Sequence, residues 1–354
     1  MTESATLAAE TTHRIFRDLG DPQALNAARG EAWRAPLWRA LEDAGLTRAW
    51  VPEALGGAGA PLADGFEVLR VAGSCAVALP LAETLLAGWL LAQAGLEVPA
   101  GPLTVAPVRA ADRLEIDAAG RVSGRARAVP FARDAGRVAV LARRGSGARV
   151  ALVERAQCAL EPGSGQAGEP RDALTLAGVR PLAEAAAPPG LDEHRLLALG
   201  AAVRAAQMSG ALEAILERTV AYCGERVAFE RPIARFQAVQ HALARLASEA
   251  AAALAAAGSA ADALDRGEAS EAALLLEVAG AKIRAGEAAG AGAAIAHQLH
   301  GAIGFSAEHV LHRYTRRLWA WRDDFGSEAE WAARLGRALA SSGADALWPL
   351  LASR

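Results

Sequence analysis

Residues 222–240 read Y-C-G-E-R-V-A-F-E-R-P-I-A-R-F-Q-A-V-Q, and the fold turns on how this stretch ends one helix and begins the next. Arg226, Arg231 and Arg235 fall within it. Pro232 lacks an amide proton and fixes φ, so the segment cannot run on as helix interior. Guanidinium groups held beside a helix start suit a phosphate; the same cluster also suits solvation or salt bridges. Downstream, Val239, Leu243, Leu246, Ala250, Leu254, Ala257, Ala261 and Leu264 recur at three- and four-residue steps, which predicts a helix over 237–266. Such a helix spans about 45 Å. Further helices are predicted over 270–299 and 306–319, separated by Gly301-Ala302-Ile303-Gly304, and the chain is already helical from His194. Their many alanines permit close approach, so 191–354 reads as a C-terminal long-helix bundle.

Upstream, over about 102–180, the apolar period falls to two, with turn signals every several residues. Strands are predicted over 103–108, 113–116, 121–128, 137–141 and 149–153, with hairpin turns at Asp117-Ala118-Ala119-Gly120 and Gly145-Ser146-Gly147. Pro188-Pro189-Gly190 closes this middle β-barrel domain, 101–190. Residues 1–100 read as an N-terminal α-helical domain. Leu37, Trp38 and Leu41 share one face before a Gly45 C-cap, further helices run over 61–73 and 80–95, and the Pro- and Gly-rich stretch from Trp50 is neither helix nor strand. The fold class is therefore α+β.

At 354 residues the chain exceeds one usual core. A net charge of -3 gives no nucleic-acid footprint. Cys75, Cys158 and Cys223 are scattered and odd in number, which supports neither a disulfide framework nor a zinc site and fits a reducing, cytoplasmic setting. The N-terminus has no basic-then-apolar run of the secretory kind. The apolar stretch 77–98 is interrupted by Pro80, Glu83 and Gln93, so it reads as a buried helix and not a membrane span. His297 and His300 have no acidic or sulfur partner at ligand spacing, and no metal site is expected.

Three segments, in order, carry a family resemblance. V-P-E-A-L-G-G-A-G from Val51 resembles the V-P-E-x-x-G-G-x-G of acyl-CoA dehydrogenases. R-V-A-F-E-R-P-I-A-R-F-Q-A-V-Q from Arg226 resembles that family's R-x-x-F-G-x-x-I-x-x-F-Q-x-x-Q, and Q-L-H-G-A-I-G-F from Gln298 resembles its Q-x-x-G-G-x-G-[FY]. The resemblance implies FAD held across a subunit interface in a dimer or tetramer, homomeric or heteromeric. By it, Arg226 sits on the pyrophosphate and Phe229 and Gln237 near the adenosine, while Gln298, Gly301 and Gly304 reach the cofactor from the neighbouring subunit. It also implies an acyl-CoA substrate, α,β-dehydrogenation, and an electron-transfer flavoprotein as acceptor.

The departures lie at the reacting end. The family's usual base, a glutamate directly before Gly-Ser or Gly-Thr, falls on Phe325, with Asp324 beside it as a displaced candidate. The minority base position, two helices earlier, falls on Gly200. The T-E-P and W-[IV]-[TS] segments that surround the flavin ring appear as Val105-Ala106-Pro107 and Ala128-Val129-Pro130, and the F-G of the helical motif as Phe229-Glu230. Two functions follow as expectations: an FAD-dependent acyl-CoA dehydrogenase with a displaced base, or a non-catalytic subunit that completes the flavin site of a paired, base-bearing chain.

Overall fold

The helix, strand, helix order expected from periodicity is what the chain adopts in a computed structural model that describes residues 3–28, 30–267 and 270–352. Five helices come first: α1 (Glu3–Leu19), α2 (Pro22–Ala27), α3 (Arg34–Asp43), α4 (Leu62–Ser74) and α5 (Leu81–Gln93). Gly45 takes a φ of 73° after α3, as its C-cap reading requires. One short 3-10 turn, Glu53–Leu55, interrupts the loop after Trp50, because Pro52 fixes the φ that starts it. Helix α5 is buried from Leu81 to Leu91, and no helix among the described residues is long and apolar enough to cross a membrane.

The middle block is one mixed sheet of β1 (Leu103–Ala106), β2 (Arg113–Ile116), β3 (Val122–Pro130), β4 (Arg137–Arg144), β5 (Gly147–Glu154), β6 (Ala159–Glu161), β7 (Arg171–Val179) and β8 (Ala183–Ala186). Its order is β6-β7-β3-β2-β4-β5-β8, with β1 paired in parallel to β4. The pleat sends successive side chains to opposite faces. In β4, Ala139 and Leu141 join the helical core, whereas Val138, Val140 and Ala142 fill the sheet's own core. Both faces of the central strands are thus dry, and one of them docks the sheet on α5.

The last block holds α6 (Glu193–Glu225), a two-strand hairpin of β9 (Val227–Ala228) and β10 (Arg231–Pro232), α7 (Gln237–Arg266), α8 (Glu271–His300), α9 (Leu311–Asp323), α10 (Glu328–Ser342) and α11 (Ala344–Ala352). The helix expected over 306–319 starts only at Leu311. Glycines allow a single 3-10 turn over Gly301–Phe305, and Ser306 is extended after it. One apolar core runs from the N-terminal helices through α6 into α8. Helices α4 and α6 cross at bare backbone: a Cβ on Gly73 would lie 2.1 Å from Gln207 O, and one on Gly210 1.9 Å from Arg70 O. Gly210→Ala is therefore expected to destabilise the fold by about 1–3 kcal/mol, the usual cost of overpacking, read as a lower urea midpoint; an unchanged midpoint would show that the helices part freely.

Candidate functional site

Helix α6 ends where the sequence says it must. Its last turn closes through Arg226 N to Tyr222 O at 2.8 Å, and Ile233 N then returns to Arg226 O at 2.8 Å across the β9–β10 hairpin. The hairpin's two turn residues, Phe229 and Glu230, both have positive φ, 50° and 64°. Such a turn prefers glycine, so Glu230 keeps the backbone shape of the family's F-G while adding a charge. Phe229 is 88% exposed, held edge-on to Phe236, over which Arg231 stacks at 4.2 Å. Arg226, Arg235 and Gln237 are exposed, and Arg226 has no ion pair among the described residues.

The second motif lies at the same end of the bundle. The Tyr222 ring stacks on His300 at 4.4 Å, and its hydroxyl donates to His300 O at 3.2 Å, tying the end of α6 to the end of α8. Gln298 is exposed, and Gly301, with φ 63°, has open space where a Cβ would stand. Gly304 differs: it is buried, and a Cβ there would meet His300 Cβ at 2.9 Å and Leu311 Cδ2 at 3.2 Å. Its small size serves this chain's own packing. The structure thus gathers Arg226, Phe229, Gln237, Gln298 and Gly301 at one surface end, with Gly304 beneath.

The two family base positions meet at the other end. Phe325 is 2% exposed and has a φ of 56°. A Cβ on Gly200 would lie 2.2 Å from Phe325 Cδ1. The ring therefore fills the space a side chain at Gly200 would need. Trp331 Nε1 donates to Phe325 O at 2.9 Å, and Ser327 caps α10 in a reciprocal box with Glu330, which fixes the turn.

Behind this ring lies a chain of buried charges. Arg204, stacked 5.6 Å from the Phe325 ring, donates through Nε to Asp324 Oδ2 at 2.9 Å, through Nη1 to Gln207 at 2.6 Å and through Nη2 to Glu83 at 2.5 Å. Arg171 grips Asp324 with two bonds, 3.0 and 2.8 Å. Burial alone would push the Asp324 carboxyl up, but Arg171 and Arg204 outweigh it and hold the group below the ordinary carboxylate range. Fully buried Lys282 donates to Trp321 O at 3.0 Å and to Arg322 O at 2.5 Å, capping α9; burial pulls its ammonium down to about 8.

A cleft of about 320 Å³ opens between the sheet and the bundle, lined by Arg109, Ala128, Gly165, Arg171, Asp324 and Phe325 among others. The ring-side segments meet here or lie just behind it. Val105, Ala106 and Val129 are fully buried and Thr104 Oγ1 is spent on Pro130 O at 2.7 Å, while the exposed Ser164 also lines the cleft. Among the described residues, no group of acids, thiols or imidazoles could hold a metal.

Three comparisons bear on this arrangement. The family profile "Acyl-CoA dehydrogenase, C-terminal domain" matches residues 193–326, the span that runs from the start of α6 to Gly326. Acyl-CoA dehydrogenase IpdE2 of Mycobacterium tuberculosis is 30% identical over 318 residues, covering 89% of this chain and 91% of that one. The ChsE4-ChsE5 complex from Mycobacterium tuberculosis superposes with a TM-score of 0.86 at 26% identity, over 97% of this chain and 99% of its counterpart. An acyl-CoA dehydrogenase from Bacillus anthracis, complexed with FAD, shares the fold with a TM-score of 0.78 at 18% identity, over 95% of this chain and 66% of that one. With 30% identity to one relative over 89% of this chain added to the shared layout, the chain belongs to the acyl-CoA dehydrogenase family.

Proposed function

We propose that this chain is a non-catalytic subunit that completes the flavin site of a paired, base-bearing acyl-CoA dehydrogenase. The observation that carries the reading is the Phe325 ring standing in the space of a Gly200 side chain, so neither family position holds a carboxylate. In the family's chemistry the flavin is the hydride acceptor and a carboxylate takes the substrate α proton. Asp324 is poorly placed for that work. Its oxygens are committed to Arg171 and Arg204, and a carboxyl held so far toward its ionised form has little affinity for a proton.

The residues present fit FAD at one end only. Arg226, free and exposed, and the bare backbone at Gly301 suit a pyrophosphate. At the ring end the positions of the family's T-E-P and W-[IV]-[TS] segments offer buried alkyl groups, the neighbouring Thr104 hydroxyl is already engaged, and the polar groups left stand at the cleft wall, Ser164 and Arg109 among them. Geometry also separates the two ends. Gly200 and Tyr222 stand about 33 Å apart along α6 at about 1.5 Å per residue, so the two ends are well separated, and a second subunit would supply the end that this chain lacks. By the same reading, the acyl-CoA and an electron-transfer flavoprotein are engaged chiefly through the paired chain, and the assembly is a heteromer of two or four chains.

Arg226→Ala is the direct test of the phosphate end. Charge-assisted hydrogen bonds contribute about 1.5–3 kcal/mol each, so the assembled protein should lose FAD at least about tenfold more readily. Equal FAD occupancy in variant and parent after dialysis would remove Arg226 from the site.

A further inference from the structure

The end of the bundle that carries Gln298 and Gly301 is built on four histidines. His297 stacks on Phe305 at 4.4 Å and bonds Thr315 Oγ1 through Nε2 at 3.0 Å. His300 bonds Ala296 O through Nδ1 at 2.8 Å and lies 4.8 Å from the His309 ring. His309 accepts Leu311 N at its Nδ1, 3.2 Å, and His312 Nδ1 returns to His309 O at 2.8 Å. His297 Nδ1 and His300 Nε2 are buried with no protein partner. We propose that this cluster is a pH-operated latch on the Gly301–Phe305 turn: neutral rings hold the turn closed, and protonation of two or more releases it.

Among the described residues, no carboxylate acts on the His297, His300 or His309 rings. From α6 come Arg218 and the Tyr222 ring; from α9 come Thr315, Trp319, and Tyr314, whose hydroxyl accepts from Arg218 Nε at 3.2 Å. Arg313 points away, toward Ala76 O; α2 contributes the neutral amides of Gln23 and Asn26, which bond Ala307 O and Glu308 O, and its N-cap Asp21, whose carboxylate accepts from Ala24 N and acts on Tyr314 but not on the imidazoles. Glu308, the acid on the same segment, is turned to its own backbone amide and to Ser306. A proton added to one ring thus faces other imidazoles and an arginine in a buried site.

Burial first, and then neighbouring positive charge, hold His297 and His309 below the ordinary histidine value; burial does the same for His300 against the pull of the Ala296 carbonyl. With the closed-state pKa depressed, the open state takes up protons first as pH falls below about 6.5. The latch is at full strength above that pH and weakens below it.

Hydrogen exchange of the full-length chain at pH 7.5 and 5.0, corrected for intrinsic rates, tests this. Amides of 297–312 should lose protection by about tenfold or more at the lower pH, while the middle of α6 and α7 keeps its protection. Equal protection at both pH values, or a loss spread evenly over the bundle, would overturn the proposal. The double variant His300→Gln, His309→Gln should flatten the dependence; a full dependence retained in it would also overturn it. Should that variant not fold, an NMR titration of the parent decides: at least two of its seven histidines should show midpoints below the ordinary histidine value, and ordinary midpoints for all would refute the latch. None of these readouts requires flavin or a partner chain, so the outcome is separate from the subunit assignment.

Discussion

Arg204→Met is expected to cost about 3–5 kcal/mol of folding stability, the range for removing one partner of a buried ion pair. Arg204 is 1% exposed and is the bridge between Glu83 on α5 and Asp324 after α9. Arg171, on the sheet, closes the same network from the third block. Without the guanidinium, Glu83 would be left charged in a dry site where its Oε2 already lacks a partner. The packing volume is nearly kept by methionine, so the loss reads on charge and not on a cavity. Adding Glu83→Gln to Arg204→Met should recover much of it, because the orphaned charge goes too. Urea midpoints of the single and double variants give the coupling; equal loss in both would mean that the pair is not what matters. The network also fixes a pH sense. Since the Asp324 carboxyl is depressed in the fold, its contribution is present above the unfolded carboxylate value and is lost as pH falls through the folded one.

Phe325→Glu is the second large effect, and it runs toward gain. General-base catalysis contributes about 10²- to 10⁴-fold, and the resemblance to the family's motif puts its glutamate at this position. The new side chain would leave the Phe325 pocket beside Gly200, with Arg204 close to where the ring now stands. That arginine would draw the carboxylate into an ion pair and weaken it as a base, so the gain should fall toward the low end of the range. Wherever FAD and acyl-CoA, supplied in excess, occupy this chain's own cleft, anaerobic mixing should show slow flavin bleaching in Phe325→Glu above the parent's level. No gain, with FAD demonstrably bound, would mean that the missing base is not what limits the chain.

How much of this was legible beforehand depends on whether the signal was local. The arginine stretch gave the end of α6 and the start of α7 at Gln237, because Pro232 and the apolar period act on their own neighbourhood, whereas the β9–β10 hairpin between them was expected only as a loop. Strand β2 fell where alternation placed it, over Arg113–Ile116. The start of α9 was misplaced by five positions, since nothing after Gly304 breaks the pattern until packing against Leu311 decides it. The buried charges were missed at the site, although a signal existed: Arg204 and Glu83 each interrupt a locally apolar run, and a charge in such a run must find a partner. Which partner it finds is a tertiary fact. The same holds for Phe325 and Gly200, which stand far apart in the chain; their contact could not be read from either motif alone. Gly304 was assigned to ligand approach on a motif basis, and only the neighbouring His300 and Leu311 give its smallness a role inside the chain.

The central claim is that this chain brings no catalytic base of its own. Stopped-flow mixing of the isolated, full-length chain, supplied with FAD, against acyl-CoA thioesters without oxygen tests it most directly. The account predicts no flavin bleaching on the time scale of turnover, in the parent and in Asp324→Asn alike. Rapid bleaching by the parent that disappears in Asp324→Asn would contradict it and make Asp324 the base.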